Sequence, residues 1–288
     1  MINKIIKTTN LLVINHLICK FENCFYEENL MFIFELIGRK TLRFFREFGQ
    51  ITVLFISTFR YFPRIIKDKK LVLEQMSIIG ADSLPLVLLI GAFTGAIAAL
   101  QATSLFEKFN FISIARPFIG SSIATAVFQE LTPVLTALVI AGRIGGSMAA
   151  QIGTMKVTEQ IDALEMMAID KNRYLAMPRA VAIVLMMPVL AIFSNAVALL
   201  GSFVLSSIKY NFTSEAFFDS VIRFFKMKEL MLGLFKTTVF GGVTALIGVH
   251  IGFNTKGGAE GVGNSTVRAF TLSAASILII DAIFGYIF

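Results

Sequence analysis

The sequence of 288 residues is poor in the residue types that usually support metal binding, cofactor binding and a soluble surface. It has no tryptophan, two histidines, two cysteines and six prolines, and only 16% of its residues are charged. The two cysteines, Cys19 and Cys24, exclude a disulfide scaffold, and a lone pair with this spacing is a poor zinc site. The charged share lies below the roughly 25% that is typical of soluble domains. We therefore predict no metal site and no cofactor, and we expect much of the apolar surface to face lipid.

Hydrophobic residues, by contrast, make up 56% of the chain. A helix that crosses a membrane needs about 20 mostly apolar residues. Five runs meet this need: 83–106, 117–155, 180–208, 230–255 and 269–288. The second run carries only Glu130 and Arg143 as charged residues and is long enough for one long or broken span. Buried core helices can also be apolar, but five such runs in one chain favour an all-α integral membrane protein with five transmembrane helices.

Positive charge is concentrated near the N-terminus, where residues 1–75 hold 12 of the 26 lysines and arginines. Basic residues beside apolar spans favour the cytoplasmic side of a membrane, or its topological equivalent, and they attract membrane surfaces. The charge therefore indicates a membrane partner and no nucleic acid. Five crossings then place the loops 149–179 and 253–268 inside and the loops 107–116 and 209–229 outside.

The region before the first span is predicted to lie along the membrane. In residues 31–56, basic residues are interleaved with apolar residues that fall near helical spacing: Leu36, Leu42, Phe45 and Phe48. This pattern is typical of an amphipathic interfacial helix, and a soluble helix packed on a partner is the alternative. No small-residue cleavage site follows the short apolar run near the start, so no cleaved signal peptide is expected. We divide the chain into an N-terminal extension (1–30), an interfacial region (31–70) and a transmembrane region (71–288).

A short amphipathic helix is predicted in the loop 153–169. One helical face carries four apolar residues: Val157, Ile161, Leu164 and Ala168. Thr158 is the expected N-cap, and Glu159 and Asp162 suit the positive end of the helix dipole. An acidic helix between two spans suits docking of a soluble partner, and a solvated connector is the alternative.

Glu130, Lys236 and Asp281 are ionisable residues inside three of the apolar runs. Glu130 is the only charged residue between 117 and 142, and Pro133, which removes a backbone donor, follows it closely. A carboxylate within the membrane is costly and marks function by default, although pairing with a basic residue could instead fix packing. Asp281, near the end of the last run, is expected to reach water, and Lys236 is expected to snorkel to the outer interface.

Two long motifs resemble the signature of the MlaE-type permeases. They are QELTPVLTAL at 129–138 and AGRIGGS at 141–147, and shorter matches follow at 150–155, 158–164, 177–179 and 258–263. The resemblance covers roughly residues 35–288. It implies a permease subunit of an ABC transporter that moves phospholipid between membranes, in Gram-negative bacteria or chloroplast envelopes. It further implies a homodimer, two ATPase subunits and a substrate-binding protein with an MCE domain.

The resemblance also suggests roles for particular residues. The short acidic helix becomes the coupling helix that contacts the ATPase, through Thr158, Glu159, Gln160, Ile161, Asp162, Leu164 and Glu165. Glu130 and Pro133 are expected to line the lipid path. Gly91 and Gly95 form a GxxxG pair, which allows close helix approach, and are expected at the dimer contact. The glycine-rich segment 257–263 lacks the Lys-Ser/Thr of a P-loop, so the chain is expected to be a transport subunit and not an enzyme.

Two other functions fit parts of the sequence. A membrane anchor or scaffold would recruit a soluble partner through residues 153–169 without transport. An ion-coupled secondary transporter would use Glu130 and Asp281 in a proton relay. The 29 phenylalanines, the absence of tryptophan and the many Ile, Asn and Lys residues suggest an AT-rich genome. We therefore favour the inner envelope membrane of a plastid, with no transit peptide because residues 1–30 contain three glutamates; a bacterial inner membrane is the alternative.

Overall fold

The computed structural model describes residues 38, 41–42, 45–47, 49–58, 60, 68–108, 112–224 and 226–287. The regular structure of these residues is helical throughout, without a strand. By its internal contacts the chain divides into Met1–Thr52 and Val53–Phe288. The described residues of the first unit are helical. The predicted N-terminal extension (1–30) and residues 31–37, 39–40, 43–44 and 48 of the predicted interfacial helix lie outside the described part. The position of that helix along a membrane stays a prediction.

Nine α-helices and three π-helical turns follow from residue 69 onward in the described part of the chain. The α-helices are α1 (Lys69–Lys108), α2 (Ile112–Ala126), α3 (Thr132–Ile140), α4 (Gly146–Val157), α5 (Gln160–Met166), α6 (Met177–Tyr210), α7 (Ser214–Phe224), α8 (Met227–Phe253) and α9 (Gly258–Ile287). The π turns are Val127–Leu131, Ala141–Gly145 and Asn172–Ala176.

Five helical stretches among the described residues are long and apolar enough to cross a membrane. They are Lys69–Lys108, Pro117–Val157, Asn172–Tyr210, Met227–Phe253 and Gly258–Ile287. Their most apolar segments reach mean hydropathies of 1.7 to 2.4 with at most two charged residues each. Each stretch overlaps one predicted run, so the prediction of an all-α membrane protein with five spans is confirmed.

The second span is one helical path of 41 residues that contains two π turns. Pro133 stands in the first turn of α3. It has no N–H to donate to the carbonyl four residues earlier, and the wider turn Val127–Leu131 directly precedes α3. The span predicted as long or broken is therefore long and locally widened. Two of its charged residues, Glu130 and Arg143, each lie in one of the π turns, a feature often found at functional sites.

Glycines bring α1 and α6 into close contact. A Cβ atom at Gly91 would stand 2.8 Å from the backbone oxygen of Ser194, and one at Gly95 would collide with the backbone of Ala198. Both glycines are buried. The close approach that we expected between two copies is thus made within one chain, because α6 already occupies the groove that this GxxxG pair leaves.

Candidate functional site

Three charged side chains from three helical elements meet within the spanning region. The Nζ atom of Lys236 on α8 donates to Oε1 of Glu130 at 2.8 Å and to Oδ1 of Asp281 on α9 at 3.0 Å. The side chain of Lys236 is 0% exposed, whereas those of Glu130 and Asp281 are 43% and 20% exposed. With all three groups ionised, this charge cluster has two negative charges and one positive charge.

The fold explains why these three groups meet. α8 packs against both α9 and the π turn Val127–Leu131, so a long side chain on α8 can reach a carboxylate on either neighbour. Burial of a lysine ammonium is tolerated when it is paired and hydrogen-bonded. The two carboxylates supply that pairing, and their partial exposure leaves acceptor oxygens available beyond Lys236. The cluster can therefore offer polar contacts at the edge of an apolar region.

The cluster corrects one prediction about the apolar runs, for Lys236, and adds a bonding partner for two other residues. Lys236 does not snorkel to the interface, because its side chain is fully buried and bonded to two carboxylates. Asp281, which was expected to reach water, accepts a hydrogen bond from Lys236 as well. For Glu130 the alternative of pairing with a basic residue is realised, but 43% of its side chain remains exposed. A lone lysine in an apolar run is a signal for such pairing.

Pro133 differs from Glu130 in its exposure. It is buried, and a Cβ atom at Gly233 of α8 would stand 3.3 Å from its ring. Because α8 covers it, Pro133 does not itself line an open path, as we had expected. Its effect is on the backbone, where it follows the π turn that carries Glu130.

A second polar contact lies at the other π turn of the same span. Arg143 donates from Nη1 to the hydroxyl of Ser83 on α1 at 2.6 Å, and its Nη2 lies 3.9 Å from Oδ2 of Asp82. Ser83 is fully buried. Sequence reasoning did not connect these residues, because Arg143 is 60 residues from Ser83 along the chain.

A helix lies where the coupling helix was predicted: α5 is seven residues long and begins later than expected. Its role in coupling stays a prediction. Thr158 is the C-cap of α4, and its hydroxyl donates to the carbonyl of Thr154 at 2.8 Å. The N-cap of α5 is Glu159, in the left-handed region with φ of 60°. The prediction of Thr158 as N-cap is therefore wrong, because its hydroxyl and backbone both close the preceding helix.

The side chains of α5 divide into inward and outward groups. Ile161 is buried, and Leu164 packs against the same hydrophobic core, so these two predicted contact residues face their own chain. Gln160 is exposed at the start of the helix. The inward face agrees with the predicted amphipathic pattern at Ile161 and Leu164, whereas Ala168 lies beyond the helix and is exposed.

Lysines of the same chain bind two of the predicted acidic contacts. Lys156 lies 2.7 Å from Oδ1 of Asp162, and Lys171 lies 2.7 Å from Oε1 of Glu165. Glu159 enters no such ion pair within the described residues. The helix therefore presents less free negative charge than its sequence suggests.

An arginine connects the segment after α5 to the first span. Nε and Nη2 of Arg173 donate to the two carboxylate oxygens of Asp68, each at 3.1 Å. This bidentate pair borders a cavity of about 440 Å³ that Leu71, Ile169 and Tyr174 also line. The loop 158–171 is thus anchored at both ends, by α4 and by Asp68.

The chain is similar over most of its length to a permease family and to proteins from bacteria and a chloroplast. The family model described as Permease MlaE matches residues 72–287. A probable ABC transporter permease protein of Rickettsia typhi is 36% identical over 253 residues, which is 87% of this chain and 95% of the relative. One from Synechocystis is 38% identical over 235 residues, 81% of this chain and 88% of the relative. The chloroplastic protein TRIGALACTOSYLDIACYLGLYCEROL 1 of Arabidopsis thaliana is 34% identical over 228 residues, 78% of this chain and 64% of that protein.

Proposed function

Because this chain belongs to the MlaE permease family, we propose that it moves phospholipid between membranes as a homodimer that a separate ATPase drives. Its place as an integral membrane subunit of the ABC transporter permease type follows from the family and from the five spans. The phospholipid substrate, the homodimer and the partner proteins are what we propose beyond that. Its relatives come from bacteria and from a chloroplast, and within that range we continue to favour a plastid inner envelope.

The charge cluster is the observation that carries the proposal. A lipid in transit must move a polar headgroup past spans that are almost free of charge. Partly exposed Glu130, held in place by buried Lys236, would give that headgroup a fixed polar contact. Ionisable groups within a membrane typically face a bundle interior or a polar cavity and mark substrate pathways. The galactolipid in the name of the Arabidopsis relative further supports a lipid substrate.

Pairing with a second copy is supported by the uneven burial of the spans. In the most apolar 18-residue stretch of α9 only 11% of the residues are buried, against 39–50% in the other four spans. α9 also carries Asp281 of the charge cluster. We propose that a second chain covers part of α9, which would set two charge clusters along one shared path. The MCE-domain protein would then meet the outer end of that path.

The missing P-loop and the position of α5 support an ATPase partner. The sequence has no P-loop, so hydrolysis has to come from another subunit. α5 lies between the second and third spans, on the side that the basic N-terminal region marks as cytoplasmic. We propose that α5 is the element through which the ATPase acts on the spans.

Lipid transfer between two vesicle populations tests this function. The purified native complex is reconstituted in donor vesicles with a fluorescent phospholipid, and transfer to acceptor vesicles is followed with and without ATP. We expect transfer that requires ATP and stops with a non-hydrolysable analogue. Transfer driven by a proton gradient without ATP would favour the secondary transporter, and ATPase recruitment without any lipid transfer would favour the scaffold.

A further inference from the structure

Two methionines at the end of α5 are left outside the protein core. Met166 and Met167 are 89% and 62% exposed. They lie in the loop between the second and third spans. On α5 they share a face with Ala163, three and four residues earlier, and that face is opposite buried Ile161. The outward side of α5 is therefore apolar at its C-terminal end.

The backbone after α5 fixes these methionines in place. The amide of Ala168 donates to the carbonyl of Glu165 at 2.9 Å, and that of Ile169 donates to the carbonyl of Leu164 at 3.0 Å. Ala168 has a φ of 58°. This is the Schellman pattern that closes helices, with alanine at the left-handed position where glycine is usual. Met166 and Met167 are the last helical residue and the C-cap, so a defined turn presents them.

The charges beside the methionines are mostly satisfied within the chain. Asp162 and Glu165 are bound by Lys156 and Lys171. At the start of the helix, Glu159 is exposed and has no ion pair in the described structure. A partner that fits this face must therefore accept two apolar side chains and one carboxylate.

We propose that Met166 and Met167 are the main anchors of α5 on the ATPase subunit, seated in an apolar groove with a basic side chain near Glu159. The proposal rests on the proposed function, because it takes the ATPase as the partner. Methionine suits this role since its unbranched, polarisable side chain adapts to apolar grooves. Binding energy at interfaces is concentrated in a few such buried anchors. In this arrangement Asp162 and Glu165 shape the helix through their lysines and contribute little to docking.

Co-purification of the ATPase with the full-length chain tests the proposal. The main variant is Met166→Ser with Met167→Ser, which removes apolar surface without opening a cavity because both side chains are exposed. The matched control is Met227→Ser with Met231→Ser, two exposed methionines on α8. We expect the first variant to lose about tenfold or more in affinity, as loss of an anchor would give, and the control to bind as wild type does.

Two further variants separate apolar contact from charge. Met166→Leu with Met167→Leu should retain binding, because the surface stays apolar, and this variant checks that the serine variant fails for lack of apolar contact. Asp162→Asn with Glu165→Gln should also retain binding. If wild type does not bind the ATPase, the proposed function itself fails. If wild type and the serine variant bind equally, or if only the charge variant loses binding, the methionine anchor is wrong.

Discussion

Replacing Lys236 by methionine is the sharpest test of the charge cluster. The substitution keeps a long apolar side chain in the buried position and removes the cation that is bonded to both Glu130 and Asp281. Removing one partner of a buried ion pair costs about 3–5 kcal/mol, because the remaining charge is left uncompensated. The two carboxylates are 43% and 20% exposed and regain some hydration. We therefore expect a loss near the lower end, about 3 kcal/mol in the free energy of unfolding.

Neutralising the whole cluster should reverse most of that loss. When a buried ion group is replaced as a set by uncharged residues, stability is often unchanged or improved. The triple variant Lys236→Met, Glu130→Gln and Asp281→Asn should then lie within about 1 kcal/mol of wild type. Lys228→Met on the same helix is the control, since Lys228 is exposed and such changes usually stay within about 0.5 kcal/mol.

Unfolding in detergent can be followed by far-ultraviolet circular dichroism, which suits a helical chain that has no tryptophan. The reasoning is refuted if Lys236→Met is as stable as the Lys228→Met control. It is also refuted if the triple variant is as unstable as Lys236→Met alone, because the loss would then come from packing and not from unpaired charge.

Three smaller predictions address other parts of the chain. Glu130→Gln should retain part of the lipid transfer if polarity suffices, whereas Glu130→Leu should abolish it; wild-type transfer by an assembled Glu130→Leu variant would make Glu130 a packing residue. Gly95→Val should destabilise the fold by about 2 kcal/mol or more, since α6 leaves no room for a Cβ, and unchanged thermal unfolding would contradict this. Ala168→Gly should stabilise the turn after α5 by about 1 kcal/mol because φ is 58° there, measured by thermal unfolding and contradicted by any loss.

The spans could be predicted from sequence because each is a local property. Twenty apolar residues cross a membrane whatever their neighbours are, so composition alone located the five runs. The GxxxG pair at Gly91 and Gly95 was also visible, since its spacing marks a groove for a second helix. The helix that fills this groove could not be predicted, because Ala198 lies more than 100 residues away in sequence and a groove of this kind accepts any helix with small residues. Spacing thus predicts that a contact exists but not what makes it.

The charge cluster could not be predicted from the sequence, because its three members lie on different spans that are far apart along the chain. The sequence shows three isolated charges in apolar runs, and each has its own predicted environment. Glu130 is expected at the lipid path, Lys236 at the interface and Asp281 near water. Pairing the three groups with each other costs less free energy, since a buried ammonium that donates to two carboxylates avoids an unpaired charge in a region of low dielectric. Within a membrane bundle, isolated charges of opposite sign on different spans should therefore be paired with each other before any of them is assigned to water.

The helix α5 shows how local backbone hydrogen bonds change which residues are expected to contact a partner. Thr158 has the residue type of an N-cap, but its hydroxyl bonds backwards to Thr154, and the helix starts only after Glu159 turns through the left-handed region. Ile161 faces inward, as its place in the apolar pattern predicts, and lysines of the same chain pair with Asp162 and Glu165. With those acids bonded, the exposed methionines become the outward feature of the helix. Its docking chemistry thus depends on where the helix begins and ends, and residue composition alone does not decide it.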